Sequence, residues 1–351
     1  MAFLSIPNVS IRGVAACVPS NIEENVDLDI LSAAEVQNII KSTGIERRRV
    51  APKGVTCSDL CAKAFDVLIE ELGWERSSID AIAYLSVVHD YVQPNTACIL
   101  QGRLGLSLEC YAIDINQGCP GYIIGISTLA SMISTGGIRR AVLFNGDINT
   151  SHFSPYDKEM RPLFSDAGAV TALEFDESAT PIEFHIATKG NDWQVIHTPA
   201  GGLRQPITVE SLNFVEDEDG TMRRAIDNRM DGMSVFSFGL TSVPKTLKKL
   251  IEHFSIEKEN VDKFLFHQAN LFMNEKIRMK MGIEEAKVPY ILKDFGNTAS
   301  ASIPLTMVVS SNAEYERERV DSIGCAFGVG LQYGSFHFIT DRIACPKLIE
   351  Y

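Results

Sequence analysis

Three side chains in this 351-residue sequence have the chemistry for nucleophilic attack and hydrogen-bond catalysis: the thiol of Cys119, the imidazole of His267 and the carboxamide of Asn297. Cys119 stands in DINQGCPGYIIGISTLASMIS, after a polar turn and before an apolar run that predicts a helix. Pro120 suits the first helical position, because the N–H it lacks would be unpaired there. A helix start offers free N–H groups and a partial positive charge, which favour a thiolate and are expected to lower the cysteine pKa. Gly118 and Gly121 are expected to leave backbone room for a substrate. Cysteines in such chains are mostly inert core residues. The glycines, the proline and the helix start set Cys119 apart from Cys57, Cys61 and Cys98.

His267 ends the apolar run Phe264-Leu265-Phe266, where a buried strand should emerge. Gln268, Ala269 and Asn270 follow, so the imidazole is placed to face a cleft. There it could donate to a substrate carbonyl or help hold charge on sulfur; a hydrogen-bonded structural histidine explains the same position. Asn297, in KDFGNTASASIPLTM, opens a turn into a helix, with Thr298, Ser300 and Ser302 at hand for local bonds. Its neutral carboxamide donates two hydrogen bonds, which suits a developing enolate oxygen better than proton abstraction. Taken alone, it also reads as a helix cap. GCAFGVGLQYGS supplies Gly324, Gly328, Gly330 and Gly334. Such a loop can bring the N–H of Val329 beside that of Cys119 as an oxyanion hole, although a tight sheet turn is the simpler explanation of the glycines.

Positioning groups so far apart requires a particular architecture. Short β-rich runs, Ile82 to Val88 and Ala141 to Phe144 among them, alternate with helical patterns, which predicts an α/β fold with buried strands. Asp59 to Gly73 reads as a helix with Leu60, Ala64, Leu68 and Leu72 four apart, capped by Asp59 and ended by Gly73. Glu210 to Arg224 is polar and acidic, a surface excursion. A weak internal correspondence also runs through the chain. IDAIAYLSVVHD, DINQGCPGY and RRAVLFNGD are answered by VDKFLFHQAN, KDFGNTASASIP and RVDSIGCAFGVG, with Cys119 178 residues before Asn297. Two equivalent units packed about a pseudo-twofold axis would bring equivalent strand ends together. The expected halves are residues 1–178 and 179–351, sharing a continuous interface because no glycine-, serine- or proline-rich linker divides them.

The formal charge of -13 disfavours nucleic acid as a partner. No apolar run nears about 18 residues, so a membrane span is not expected. The eight cysteines form no CxxC pair, and the opening MAFLSIPNVSIRG lacks a secretion-signal layout, which points to thiols in a reducing, cytoplasmic setting.

Eight stretches occur in order almost end to end: TGIERRRV, DINQGCPGY, LFSDAGAV, TPAGGLRQP, MDGMSVFSF, FLFHQAN, DFGNTASASIP and AFGVGLQYGS. Together they resemble the β-ketoacyl-acyl carrier protein synthase III family of thiolase-fold condensing enzymes. The resemblance implies a thiolase-like fold, two pseudo-symmetric α/β/α halves forming a five-layered α-β-α-β-α core. It places the nucleophile at Cys119, the histidine at His267 within HQAN and the asparagine at Asn297 within GNTA. It implies a homodimer, an acyl-CoA or acyl-carrier-protein donor, and a malonyl-CoA or malonyl-carrier-protein extender. Arg48 and Arg204 are candidates for a donor phosphate, and Phe236 within MDGMSVFSF for the substrate path. The sequence departs from the family pattern at Pro120, at Phe164-Ser165-Asp166-Ala167-Gly168-Ala169, and at Gln93, where an aromatic residue is expected before the proline. A polar Gln93 near the acyl tunnel is expected to change the donor chain accepted, which points away from housekeeping fatty-acid initiation and towards a specialised pathway.

The expected reaction is a decarboxylative Claisen condensation through acyl-Cys119, with no metal or redox cofactor. Unlike a Cys-His-Asn protease, in which water attacks the acyl-enzyme, such a site must be dry. Transfer of the acyl group to another nucleophile without decarboxylation, and a non-catalytic partner subunit, are the competing functions.

Overall fold

The computed structural model describes residues 2–351. The first half runs β1 (Ala2–Ile6), β2 (Val9–Val18), β3 (Ile22–Glu24), α1 (Ala33–Thr43), β4 (Arg47–Arg49), α2 (Cys57–Leu72), β5 (Ala81–Ser86), α3 (Thr96–Arg103), β6 (Tyr111–Asn116), α4 (Gly121–Ile133), β7 (Arg140–Asp147) and β8 (Ala167–Phe175). The second opens with β9 (Ile182–Thr188) and the short strands β10 (Ile196–His197), β11 (Val215–Glu216), β12 (Met222–Arg223) and β13 (Arg229–Met230). It continues through α5 (Gly232–Phe254), β14 (Lys263–Phe266), α6 (Leu271–Met281), α7 (Leu292–Phe295), α8 (Ser302–Arg317), β15 (Arg319–Gly328), β16 (Gln332–Asp341) and β17 (Ile349–Glu350).

Two sheets carry the fold, in the orders β17-β2-β8-β7-β5-β6 and β1-β9-β16-β15-β14. The subsets β2-β8-β7-β5 and β9-β16-β15-β14 repeat one pattern: two antiparallel pairings, then a parallel one. The correspondence in sequence is thus one of topology, with β5 answered by β14 and β7 by β15. Among the described residues β6 has no counterpart strand in the second sheet, where the one-turn helix α7 leads into the Asn297 turn. Each chain end crosses over: β1 pairs with β9 in the second sheet and β17 with β2 in the first.

Strand alternation sorts the side chains into layers. On β14, Leu265 points between the sheets with α4 and α8, whereas Phe264 and Phe266 point outward to α5 and α6. On β5, Ala83 and Leu85 face inward, and Ile82 and Tyr84 pack under α2 and α3. Helices, sheet, helices, sheet and helices make the five layers. Close contact of α4 with its sheet depends on its glycines: a Cβ at Gly121 would lie 2.3 Å from Leu85 Cδ2, and one at Gly125 2.7 Å from Leu143 Cδ1. Gly121 therefore admits the core, not a substrate as its position in the sequence suggested.

The cap of α2 also differs from expectation. Thr56 is the N-cap, and Asp59 returns a bond to the Thr56 N–H at 2.9 Å in a capping box, while Gly73 closes the helix at φ 62°. The Glu210 to Arg224 excursion is mostly exposed as expected, but Ser211 is buried and so is Arg223, whose guanidinium pairs with Asp157 at 2.7 Å, Asp219 at 2.7 Å and Asp217 at 3.2 Å.

His337 on β16 sits between two carboxylates, with Nε2 2.9 Å from Asp321 and Nδ1 3.1 Å from Glu183. Burial opposes its charged form, but the hydrogen bonds and charges of Asp321 and Glu183 outweigh that and raise its pKa above the ordinary value. A raised folded-state pKa stabilises fully below the unfolded value, about 6.5, and the gain is lost as pH rises through the folded value. His337→Gln is therefore expected to cost about 1–2 kcal/mol at pH 6 and less at pH 9. Urea unfolding at the two pH values checks this, and an equal loss at both contradicts it.

Candidate active site

Cys119 lies in the turn between β6 and α4, with Pro120 as the helix N-cap, one residue before the expected first turn. Gly328 at the end of β15 presses against it: a Cβ there would lie 2.8 Å from Cys119 Cβ and 3.1 Å from Sγ, so no larger residue fits. The side chain of the next residue, Val329, and that of Val87 pack over Gly118, within 3.0 and 3.3 Å of where a Cβ would stand. The glycine loop of the second half is thereby seated on the nucleophile turn of the first.

The thiol is only partly exposed. Burial pushes it up to about 12, the charge of Asp147 adds to the rise, and a backbone hydrogen bond opposes it. The sequence predicted a lowered value from the helix start; desolvation by burial instead carries the thiol upward. The resting residue is a neutral thiol.

His267 leaves β14 with its N–H on the Cys325 carbonyl at 2.8 Å, and its ring stands 5.8 Å from that of Phe327, edge to face. Nδ1 is 2.7 Å from Ser302 Oγ. Burial brings its pKa down to about 4, against a hydrogen bond with the Ala299 backbone, so the imidazole is neutral at pH 7. Asn297 is held by main chain from the first half: its N–H donates to Leu163 O at 2.8 Å and its carbonyl accepts from Ser165 N at 2.9 Å. Its Oδ1 accepts from Ala299 N at 2.9 Å. That bond fixes the carboxamide and leaves Nδ2 as its donor. Ala299 adopts φ 48°, a left-handed conformation uncommon for alanine.

The candidate substrate-binding residues fall on separate elements. Arg48 is buried on β4, with Nε on Asn25 Oδ1 at 3.0 Å and a terminal nitrogen on Glu23 at 2.8 Å. It borders a cavity of about 580 Å3 that Val88, Ile148, His152 and Phe153 also line. Its Nε and one terminal nitrogen are engaged within the protein, which sequence reading could not foresee. Arg204 lies on an exposed loop, and Gln93 is exposed before a cis bond to Pro94. Phe236, in the first turns of α5, stacks on Phe272 at 6.1 Å.

Similarity to known proteins coincides with this geometry. Residues 113–190 match the model described as 3-Oxoacyl-[acyl-carrier-protein (ACP)] synthase III, and residues 251–338 match its C-terminal counterpart. The first span carries Cys119; the second carries His267 and Asn297. A β-ketoacyl-[acyl-carrier-protein] synthase III of Streptococcus agalactiae is 30% identical over 329 residues, 93% of this chain and 97% of that one. This chain belongs to the β-ketoacyl-[acyl-carrier-protein] synthase III family. A crystal structure of 3-oxoacyl-(acyl-carrier protein) synthase from Burkholderia xenovorans LB400 superposes with TM-score 0.94 at 33% identity, covering 100% of this chain and 99% of that one. A priming β-ketosynthase of the R1128 polyketide pathway, at 21% identity and TM-score 0.81, shares the synthase III fold. Membership of the synthase III family makes the chain an acyltransferase of the condensing class.

The sequence reading offered Ser302 only for local bonds and passed over Asp147. Ser302 orients His267, and Asp147, wholly buried at the end of β7, touches both halves. A charged residue closing the buried run AVLFNG was the available signal for Asp147.

Gly328→Ala should slow alkylation of Cys119 by iodoacetamide by about tenfold or more while the fold persists, because the added methyl has no space beside the sulfur. Peptide mass mapping of the alkylated product measures it, and an unchanged rate contradicts the packing.

Proposed function

We propose that the chain condenses an acyl thioester with a malonyl thioester, releasing carbon dioxide and a β-ketoacyl thioester, through acyl-Cys119. The observation that carries this reading is the pair of oriented neutral donors. Asn297 spends its acceptor on Ala299 N–H and offers Nδ2, while His267 is neutral and braced by Ser302. Two donors without a charged base suit charge developing on an enolate oxygen better than proton abstraction.

In the first stage the Cys119 sulfur attacks the donor carbonyl. The N–H groups of Cys119 and Val329 receive the oxyanion, the donor C–S bond breaks, and the thiol proton leaves with the departing thiol. In the second stage the malonyl thioester oxygen faces His267 and Asn297. Its carboxylate departs as carbon dioxide, and the enolate carbon attacks the acyl-Cys119 carbonyl. The sulfur leaves, regains a proton from solvent, and the new carbon–carbon bond remains in the product. With the thiol raised by burial, loss of its proton accompanies attack on the bound donor in this scheme.

Coenzyme A and carrier-protein thioesters are the proposed donors, with a malonyl thioester of either carrier as extender. Arg204 is the exposed cation proposed for a donor phosphate, and Arg48 is assigned to structure. Gln93 and Phe236 remain proposed contacts of the acyl chain and the donor arm. We further propose a homodimer joined through β6, an edge strand paired on one side only and beginning at the exposed Tyr111, near the exposed Leu108. Eight free thiols support a reducing, cytoplasmic setting.

Intact-mass and peptide mapping with short and long acyl-CoAs should place one acyl group on Cys119 and none on Cys119→Ala. His267→Ala and Asn297→Ala should retain acylation within about tenfold while losing about 10²–10³ in malonyl decarboxylation. Loss of acylation and decarboxylation in equal measure would reject the two-stage assignment, and acylation without a β-keto product from any malonyl donor would favour simple acyl transfer.

A further inference from the structure

Asp147 is a fully buried carboxyl that the two-stage chemistry leaves without a role. Its Oδ1 accepts from Ser86 Oγ at 2.7 Å and from Val87 N at 2.9 Å, both at the end of β5. Its Oδ2 accepts from Ser300 Oγ at 3.3 Å, across the junction between the halves. Two residues earlier on β7, Asn145 Nδ2 donates to the Ser300 carbonyl at 2.9 Å, so Ser300 is gripped by side chain and main chain.

The two ends of this clamp lead to the two parts of the site. Val87 packs over Gly118, next to the nucleophile. Ser300 belongs to the single turn 299–301, in which Ala299 N–H fixes the Asn297 carboxamide; Ser302, which follows, braces His267. We propose that Asp147 is a positioning residue that sets the Cys119 turn against the Asn297–Ser302 segment. The inference rests on the condensing reading for its catalytic consequence, while the clamp geometry carries the positioning itself.

The titratable groups coupled to this carboxyl are the thiols of Cys119 and Cys57 and the phenol of Tyr84. Burial pushes Asp147 up to about 7, against the hydrogen bonds from Val87, Ser86 and Ser300. The carboxyl thus ionises near neutrality, and above that range its charge raises the cost of a second anion on Cys119.

Asp147→Asn keeps the shape and removes the charge. Alkylation of Cys119 by iodoacetamide from pH 6 to 10, followed by peptide mass, reads the thiolate directly and needs no acyl substrate. The variant is expected to alkylate about tenfold faster at pH 8, one unit in thiol pKa, while its condensation rate falls about tenfold. A residue that only supports the fold would not speed one reaction and slow the other. Wild-type alkylation across the pH range, or condensation within threefold of wild type, overturns the proposal. Should Asp147→Asn not fold, Ser300→Ala decides, since it cuts only the arm to the second half. It is expected to lower condensation at least fivefold and more than it lowers acylation, and equal losses overturn the positioning role. Failure of every thioester to acylate Cys119 would instead count against the condensing reading and leave the alkylation result to stand by itself.

Discussion

Two main-chain hydrogen bonds, Asn297 N–H to Leu163 and Ser165 N–H to Asn297, tie the halves together at the point where the chemistry is assigned. Every other feature of the site depends on that bridge. It fixes the backbone from which the carboxamide projects, and it starts the turn that carries Ala299, Ser300 and Ser302. A buried backbone bridge must be fully paired or costs free energy, which makes this seam a discrete arrangement rather than an adjustable one. The crossing of β1 and β17 into the opposite sheets reinforces it from the far ends of the chain.

The electrostatics are those of a site that holds its charge back. Thiol and imidazole are both neutral at rest, because burial outweighs the backbone hydrogen bond at Cys119 and the one between His267 and the Ala299 backbone. Neutral donors in a desolvated site cost little to keep and are worth most when an oxyanion forms beside them. An exposed thiolate–imidazolium pair would be a better trap for water and alkylating agents than for a malonyl-derived carbon. The packing of Gly328 and Val329 around the Cys119 turn gives that shielding a structural basis.

Much of this was legible in the sequence because strand periodicity and residue type survive without coordinates. Phe264-Leu265-Phe266 announced a strand with His267 at its end, and the echo of β5 and β7 in β14 and β15 announced the duplicated topology. What stayed hidden depends on three-dimensional surroundings. Asp59 resembles an N-cap until Thr56 is seen to hold that place and Asp59 the reciprocal one. Arg48 reads as a phosphate ligand in sequence, which does not show that Asn25 and Glu23 take its Nε and one terminal nitrogen. Gly121 looked like space for substrate, whereas Leu85 fills it. The thiol pKa was misjudged because a helix start can be read from Pro120, while the burial that raises the thiol cannot. Asp147 was passed over for the same reason, since its partners lie 61 and 153 residues away.

The central claim is that one acyl group on Cys119 is converted into one carbon–carbon bond. A single-turnover experiment tests it most directly: isolate acyl-Cys119 protein free of donor, add one equivalent of a malonyl thioester, and follow acyl mass, carbon dioxide and product together. The account predicts that all three change with the same rate constant and in equal amounts. Loss of the acyl group without matching carbon dioxide, or carbon dioxide released while Cys119 stays acylated, would contradict it.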